Sequence, residues 1–538
     1  MQSKLHAALQ TLAHPRPHRW GWIDIGIMLS WIAIVCLQIV HHAMWRDEVR
    51  ALSIALAGDN LLTMLRGLHG EGHPALWYLL LRWTHDVFGH VAVLPGIAFV
   101  ISATSVALLI FRSPFPRAII ILIVGSHCFL FEFSVMARNY GISALLLFMI
   151  AASYHSARDR GILLGCLLFL LANSNVVATI MVGAFLLFWL LDLVETTGMR
   201  WTPQLKNFIL NASIATVGVI VCGITILPTY NDAATRDLSA TSPMMAVLRA
   251  LVNPAGTIAF PLTADLSKYF DTIPHSFGGR VLNVLGSILL YGITLGLMPK
   301  RAAAFAAITG LAFWSLFSGL AAGGGYRHAM VWLSFCITLY WICWKEVANS
   351  VNDLSKTPAQ TACFNTGRLM FLTVLALNFV AGLSDVRAAV FGRQVESRSA
   401  ELGRLISARP DLTEAVIVSE PETMAEALPY YVPNRIFLVR EHRFGNVPHF
   451  SRSGKLDTNL GEIMQVSREL LQTTSSPVII ILSHRLGNIV PDHPYQEGYN
   501  WIFQASSNQI LEFLFSTELI ASFGPAETNE TYDVYLLK

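Results

Sequence analysis

The sequence consists largely of apolar stretches separated by short polar connections. A helix needs about 20 apolar residues to cross the ~30 Å hydrocarbon core of a bilayer. Hydrophobic residues make up 54% of the chain and charged residues 13%, whereas soluble domains carry about 25% charged residues. The pattern predicts a polytopic all-α membrane protein with eleven spans, at about 22–40, 92–111, 118–131, 141–156, 161–173, 176–193, 208–228, 281–298, 302–321, 329–344 and 369–384.

The distribution of basic residues predicts the orientation of these spans. We expect the apolar segment 74–89, which also carries Arg82, His85 and Asp86, to lie flat at the outer membrane interface. The connections on the other side then hold at least two basic residues each, as cytoplasmic loops do. This topology places the N-terminus in the cytoplasm. The first loop (about 44–90), a long loop (about 229–280) and residues 386–538 lie outside.

The composition changes after the last predicted span. Residues 415–419, 436–439, 478–483 and 531–537 are strand-like, and residues 459–472 show a helical pattern. We therefore divide the chain into a transmembrane domain, residues 1–385, and an extramembrane α/β domain, residues 386–538.

Composition also argues against several classes of partner and cofactor. The net charge of +2 gives no support for binding a nucleic acid. The seven cysteines lie in apolar spans or just before the last one, which does not suggest a disulfide framework or a cysteine-based zinc site. His69 and His73 flank Glu71, but a zinc site needs three or four ligands. We expect no metal and no other cofactor.

Charged residues cluster in the first outer loop. Asp47, Glu48 and Arg50 directly follow the first span, and in a helix Asp47 and Arg50 share a face and could pair. Acids at a helix start also favour the helix dipole, which is the simpler explanation. A second acidic station, Glu71-Gly72-His73-Pro74, opens the segment 74–89. A carboxylate at the membrane edge can act as a general base towards a hydroxyl group.

Two further outer turns contribute cations. One is Phe133-Ser134-Val135-Met136-Ala137-Arg138-Asn139-Tyr140, and the other is Gly323-Gly324-Gly325-Tyr326-Arg327-His328. Arg138 and Arg327 lie at outer span ends, where arginine side chains also snorkel to the interface without any chemical role. The three glycines permit a close backbone approach or simply form a tight turn.

Taken in order, these motifs resemble the GT-C glycosyltransferases. The resemblance is closest to the lipid A aminoarabinose transferase and protein O-mannosyltransferase group. Its architecture covers about residues 20–390, and its motifs lie within 45–140. Members of this superfamily transfer a sugar from a polyprenyl-phosphate donor to an acceptor on the outer side of the membrane.

The resemblance implies roles for single residues. Asp47 matches the first-loop aspartate that acts as base or orients the acceptor, and Glu48 and Glu71 are further catalytic candidates. Aminoarabinose transferases carry a lysine after the second acid, where this chain has Gly72. We therefore expect other side chains to bind the donor phosphate: Arg138, His73, Arg327, Tyr140, Arg50 and His328.

The sequence thus predicts an inverting glycosyltransferase of a bacterial inner membrane, with its active site in the periplasm. Its expected partners are membrane lipids, a polyprenyl-phosphate sugar donor, and a glycolipid, glycan or protein acceptor of the cell envelope, lipopolysaccharide among them. A transporter or flippase for lipid-linked sugars shares the spans and the outer charges, although transporters usually place ionisable residues near the membrane midplane. A membrane-anchored sensor without catalysis is the third alternative.

Overall fold

The computed structural model describes residues 20–69, 71–198, 200–227, 242–257, 277–320, 324–349, 357–392 and 395–538. Most of the predicted loop 229–280 lies outside these ranges, as does Gly323. The membrane part is helical: α1 Trp22–His41, α2 Arg46–Ala55, α3 Leu61–Gly67, α4 Leu76–Phe88, α5 Val93–Arg112, α6 Arg117–Val124, α7 Tyr140–Ala157, α8 Leu163–Ala172, α9 Val176–Thr197, α10 Pro203–Ile226, α11 Pro243–Val252, α12 Pro254–Thr257, α13 Phe277–Leu295, α14 Arg301–Leu320, α15 Tyr326–Ile342, α16 Trp344–Asn349 and α17 Pro358–Phe391.

Seven of the described helices are long and apolar enough to cross a membrane, namely α1, α5, α7, α9, α10, α14 and α17. By length and composition, these are the helices of a membrane-embedded protein. The other four predicted spans fall on shorter or interrupted elements. The segment 118–131 forms α6 and a π-helical turn, Cys128–Glu132, and α8 is only 10 residues long. The segment 74–89 contains the 13-residue helix α4, which is too short to cross a bilayer upright.

The long helix α17 packs closely on two neighbours through glycines. A Cβ atom at Gly367 would lie 2.1 Å from the Gly296 nitrogen, and one at Gly382 would lie 2.0 Å from the Gly125 oxygen. Small residues let helix backbones approach within contact distance, which stabilises membrane helices by van der Waals packing. These glycines hold α17, and hence the start of the C-terminal domain, against the helical part.

The C-terminal domain is an α/β sandwich with its own apolar cores on both faces of a six-stranded sheet. The elements are α18 Ser399–Ala408, β1 Val416–Glu420, β2 Ile436–Leu438, β3 Arg443–Phe444, β4 Asp457–Asn459, α19 Leu460–Thr474, β5 Val478–Leu482, β6 Tyr495–Gln496, β7 Ile502–Gln504, α20 Ser507–Ser516, β8 Thr517–Phe523 and β9 Tyr532–Leu537. The order of the six-stranded sheet is β3-β2-β1-β5-β9-β8; β1 is parallel to β2 and β5, and β9 is antiparallel to both of its neighbours. A second sheet has the order β4-β7-β6.

The four strands and the helix predicted in this region are confirmed to within a residue or two. A buried ion pair lies at the carboxyl end of the central strand β1, where Arg440 donates two hydrogen bonds of 2.7 Å to Glu420. Trp501 covers the Arg440 guanidinium at 4.3 Å. Such a buried, bidentate pair fixes the geometry of the loops at the carboxyl ends of the parallel strands.

Candidate functional site

The candidate site is built on the first turn of α2. Glu48, the third residue of this helix, accepts a hydrogen bond of 3.1 Å from the backbone nitrogen of Trp45, which satisfies one of the free donors at a helix start. Glu48 also accepts 2.6 Å and 2.9 Å bonds from the Ala137 nitrogen and from Nε2 of His42. Its side chain is fully buried. Glu48 therefore joins α2 to the turn that carries Arg138, and its contacts are those of a structural brace.

Asp47, one residue earlier, faces the site. Its carboxylate forms an ion pair and a hydrogen bond with the Arg138 guanidinium, and 33% of its side chain stays exposed. Burial acts to raise the pKa of Asp47, but the charges of Arg138, Arg327 and Arg46 outweigh burial and hold that pKa below its usual range. Asp47 is therefore ionised at neutral pH and accessible to a ligand.

His73 lies behind this pair. Its Nε2 is 3.3 Å from Nη2 of Arg138, and its ring meets that of Tyr140 edge to face. Burial and the neighbouring charge of Arg138 lower the pKa of His73 to about 3. The imidazole is therefore neutral at pH 7. Its Nε2 accepts from Arg138, so the single ring proton sits on Nδ1, and the ring brings no positive charge to the site.

Arg50 does not pair with Asp47 as the helical spacing suggested. It forms a bidentate ion pair with Glu71, at 2.6 Å and 2.9 Å, and a second ion pair of 2.6 Å with Glu426 of the C-terminal domain. Its guanidinium also lies 4.8 Å from the ring centre of Phe450. The ion pair between Arg50 and Glu71 thus joins the two acidic stations to each other. The contact between Arg50 and Glu426 joins both of them to the C-terminal domain.

The second cationic turn contacts the first one through His328 and Tyr140. Tyr140 and His328 are hydrogen bonded at 2.7 Å between the hydroxyl and Nε2. Nδ1 of His328 accepts a bond from the Gly325 backbone nitrogen, so the ring proton sits on Nε2 and is donated to Tyr140. Arg327 lies 3.5 Å from Glu132 and 5.6 Å from the ring centre of Trp45. All nine predicted site residues therefore belong to one connected region of the protein.

The C-terminal domain supplies acidic residues that sequence reasoning missed. Glu530 accepts a 2.8 Å bond from the backbone nitrogen of Arg46, and Glu396 pairs with Nδ1 of His42 at 2.7 Å. Glu426 adds the contact with Arg50 described above. No local pattern marks these glutamates, because each meets the first loop only through the tertiary fold.

We expect the stability of the folded protein to depend on pH through His42. Although burial disfavours the charged ring, Glu48 and Glu396 raise the pKa of His42 to about 10, against about 6.5 in an unfolded chain. A raised pKa stabilises the fold fully below pH 6.5, and this contribution is lost as the pH rises towards 10. We expect the difference in melting temperature between wild type and His42→Gln to shrink steadily from pH 7 to pH 10. An unchanged difference across this range would show that His42 does not carry the charge.

Among the described residues, no three His, Cys, Asp or Glu side chains lie together as ligands for a metal ion. The absence of a metal and other cofactors from the reaction stays a prediction. Comparisons of the chain with protein-family models, with curated proteins and with solved structures gave no match.

Proposed function

We propose that this protein is a membrane glycosyltransferase of the GT-C type. It would move a sugar from a polyprenyl-phosphate donor to an acceptor hydroxyl at the periplasmic face of a bacterial inner membrane. The observation that carries the proposal is the accessible Asp47 carboxylate, which is held by Arg138 a few residues after the first long apolar helix. Charged side chains next to a membrane span are costly unless they are paired or functional.

The three carboxylates differ in their access to a substrate. The Asp47 side chain is 33% exposed, whereas that of Glu71 is 9% exposed and that of Glu48 is fully buried. This difference favours Asp47 as the group that receives a proton. The acceptor O–H would donate to Asp47, its oxygen would attack the anomeric carbon, and the bond from that carbon to the phosphate oxygen would break. A single displacement without a protein nucleophile inverts the anomeric configuration.

Arg138 is the best candidate for stabilising the leaving group. Polyprenyl phosphate gains negative charge as the glycosidic bond breaks, and a fixed guanidinium aimed at that charge lowers the barrier. Only 12% of the Arg138 side chain and 19% of the Arg327 side chain are exposed, so both charges act where water screens them weakly. Neutral His73 would help to orient Arg138 by accepting a hydrogen bond from it.

The eleven-span topology belongs to this proposal. The four segments beyond the seven long helices would complete the spans in shorter or broken form, and the donor lipid would lie in a groove between them. The transporter alternative calls for ionisable groups near the midplane. Asp24, Asp192 and Asp385 instead lie near the ends of α1, α9 and α17, which favours the enzyme.

Binding of the lipid phosphate tests the proposal directly. We expect undecaprenyl phosphate to raise the melting temperature of the purified full-length protein, and Arg138→Ala to abolish this shift because the phosphate loses its main cation. Undecaprenol, which lacks the phosphate, serves as the ligand control. Arg160→Ala, an exposed arginine after α7, serves as the matched variant and should keep the shift. Equal stabilisation of wild type and Arg138→Ala would contradict the assigned phosphate site.

A further inference from the structure

A cavity of about 490 Å³ lies between α2 and residues 443–449 of the C-terminal domain. This volume is in the range of small-molecule sites, about 300–1,000 Å³. Leu52 of α2 and Leu56, which directly follows this helix, form an aliphatic wall with Val91, and Asn446 and His449 line the cavity from the domain. An apolar wall opposite hydrogen-bonding side chains suits a sugar ring, which has C–H faces and hydroxyl edges.

The cavity adjoins the candidate site through Glu71. This carboxylate lines the cavity and also holds Arg50 at 2.6 Å. Asp47 and Arg50 lie on the same short helix as Leu52, and Leu56 caps the end of this helix. A molecule in the cavity would therefore rest against the helix that presents the proposed base.

The position of the cavity indicates where its occupant comes from. Val91 precedes the membrane helix α5 by two residues. Nearby, at the end of α4, the large side chains of Trp83, Val87 and Phe88 are 65%, 59% and 73% exposed. Exposed aromatic and aliphatic groups beside a span are typical of the membrane interface. An occupant held in the membrane can therefore reach the cavity from the bilayer surface.

We infer that this cavity binds the saccharide headgroup of a membrane-anchored glycolipid, the acceptor of the proposed transfer. The assignment of this glycolipid as the acceptor rests on the proposed function, whereas the assignment of the cavity as a saccharide site does not. The aliphatic wall packs against the sugar ring, and Asn446 and His449 hydrogen bond to its hydroxyl groups. Residues 443–449 then set acceptor specificity, which gives the C-terminal domain a role in the reaction.

A soluble glycoside tests the site without any donor. The probe is butyl β-D-maltoside, added to the full-length protein in lipid nanodiscs, with binding followed by saturation-transfer NMR. Ser53, which lines the cavity from α2, is replaced by Trp to fill the space. We expect Ser53→Trp to weaken binding about tenfold or more, because overfilled sites cannot relax freely. Leu62→Trp places the same side chain at a position that is 57% exposed on α3, and we expect it to bind as wild type does.

His449→Ala provides a second variant that does not depend on tolerating a bulky residue, because its side chain is 54% exposed. We expect it to weaken binding about three- to tenfold, as the loss of one hydrogen bond does. Wild-type affinity in both Ser53→Trp and His449→Ala overturns the inference, and so does absence of binding to wild type. The inference is also overturned if a serine-rich peptide binds instead of the glycoside and Ser53→Trp abolishes peptide binding. The acceptor would then be a protein.

The two proposals can fail separately. If Asp47→Asn abolishes transfer but the glycoside does not bind, only the acceptor site is wrong. If the glycoside binds as expected but Asp47→Asn keeps full transfer activity, the cavity remains a saccharide site and the catalytic proposal is wrong.

Discussion

We expect Asp47→Asn to lower the rate of the proposed sugar transfer by about 10²–10⁴-fold, the usual contribution of a general base. The amide cannot take the proton of the acceptor hydroxyl, although it keeps the size of the carboxylate and can still contact Arg138. The melting temperature should stay close to that of wild type, because Asp47 is partly exposed. Release of polyprenyl phosphate measures turnover whatever the sugar is, and can be followed with mixed lipid-linked donors in membranes.

Asp86→Asn is the matched control for this measurement. Asp86 lies on α4, in the same connection between α1 and α5, and 63% of its side chain is exposed. We expect Asp86→Asn to transfer sugar at the wild-type rate. Full activity in Asp47→Asn, with the protein shown to be folded, would remove the main support for the proposed mechanism.

In contrast to Asp47→Asn, we expect Glu48→Ala to reduce stability, with a loss of about 3–5 kcal/mol in the free energy of unfolding. The substitution removes one of the two carboxylates that His42 contacts, leaving Glu396, and removes the acceptor of the Ala137 nitrogen, in a place that water does not reach. Chemical denaturation of the detergent-solubilised protein, monitored by tryptophan fluorescence, gives this value. Asp47 and Glu48, which are neighbours in one helix turn, therefore have different expected roles, Asp47 in the reaction and Glu48 in stability.

Glu48→Gln separates the two roles further. Its amide oxygen can still accept the bond from the Ala137 nitrogen, so we expect a smaller loss of stability than in Glu48→Ala. If Glu48 were the proton acceptor, Glu48→Gln would keep the stability and lose the transfer. That result would move the catalytic assignment from Asp47 to Glu48.

Local patterns were enough to predict the C-terminal strands, because a buried strand is a short apolar run with clear boundaries. Hydropathy also located the seven long helices. It did not foresee that the segment 118–131 breaks at Gly125 and Ser126, since an interrupted helix packed among others is as apolar as a straight one. Likewise, β4 of the second sheet depends on pairing with β7, which lies far away in sequence.

The residues predicted for the site lie in one region of the structure, but the contacts among them were not predicted. Spacing along a helix suggested that Asp47 and Arg50 pair, yet each binds a residue from elsewhere in the chain. Arg50 meets Glu426 across 376 positions, and Asp47 meets Arg138 across 91. Sequence spacing carries no information about such contacts, because they are set by how helices and domains pack.

The bond between Arg46 and Glu530 spans 484 positions. The ribosome has therefore made every membrane helix of the described part before it makes the last partner of the first loop. During synthesis Arg46 and Arg50 exist without Glu530 and Glu426, and the cavity beside α2 lacks one wall. The site consequently matures only after the rest of the protein is in place, and the proposed reaction would have to wait until the C-terminal domain has folded.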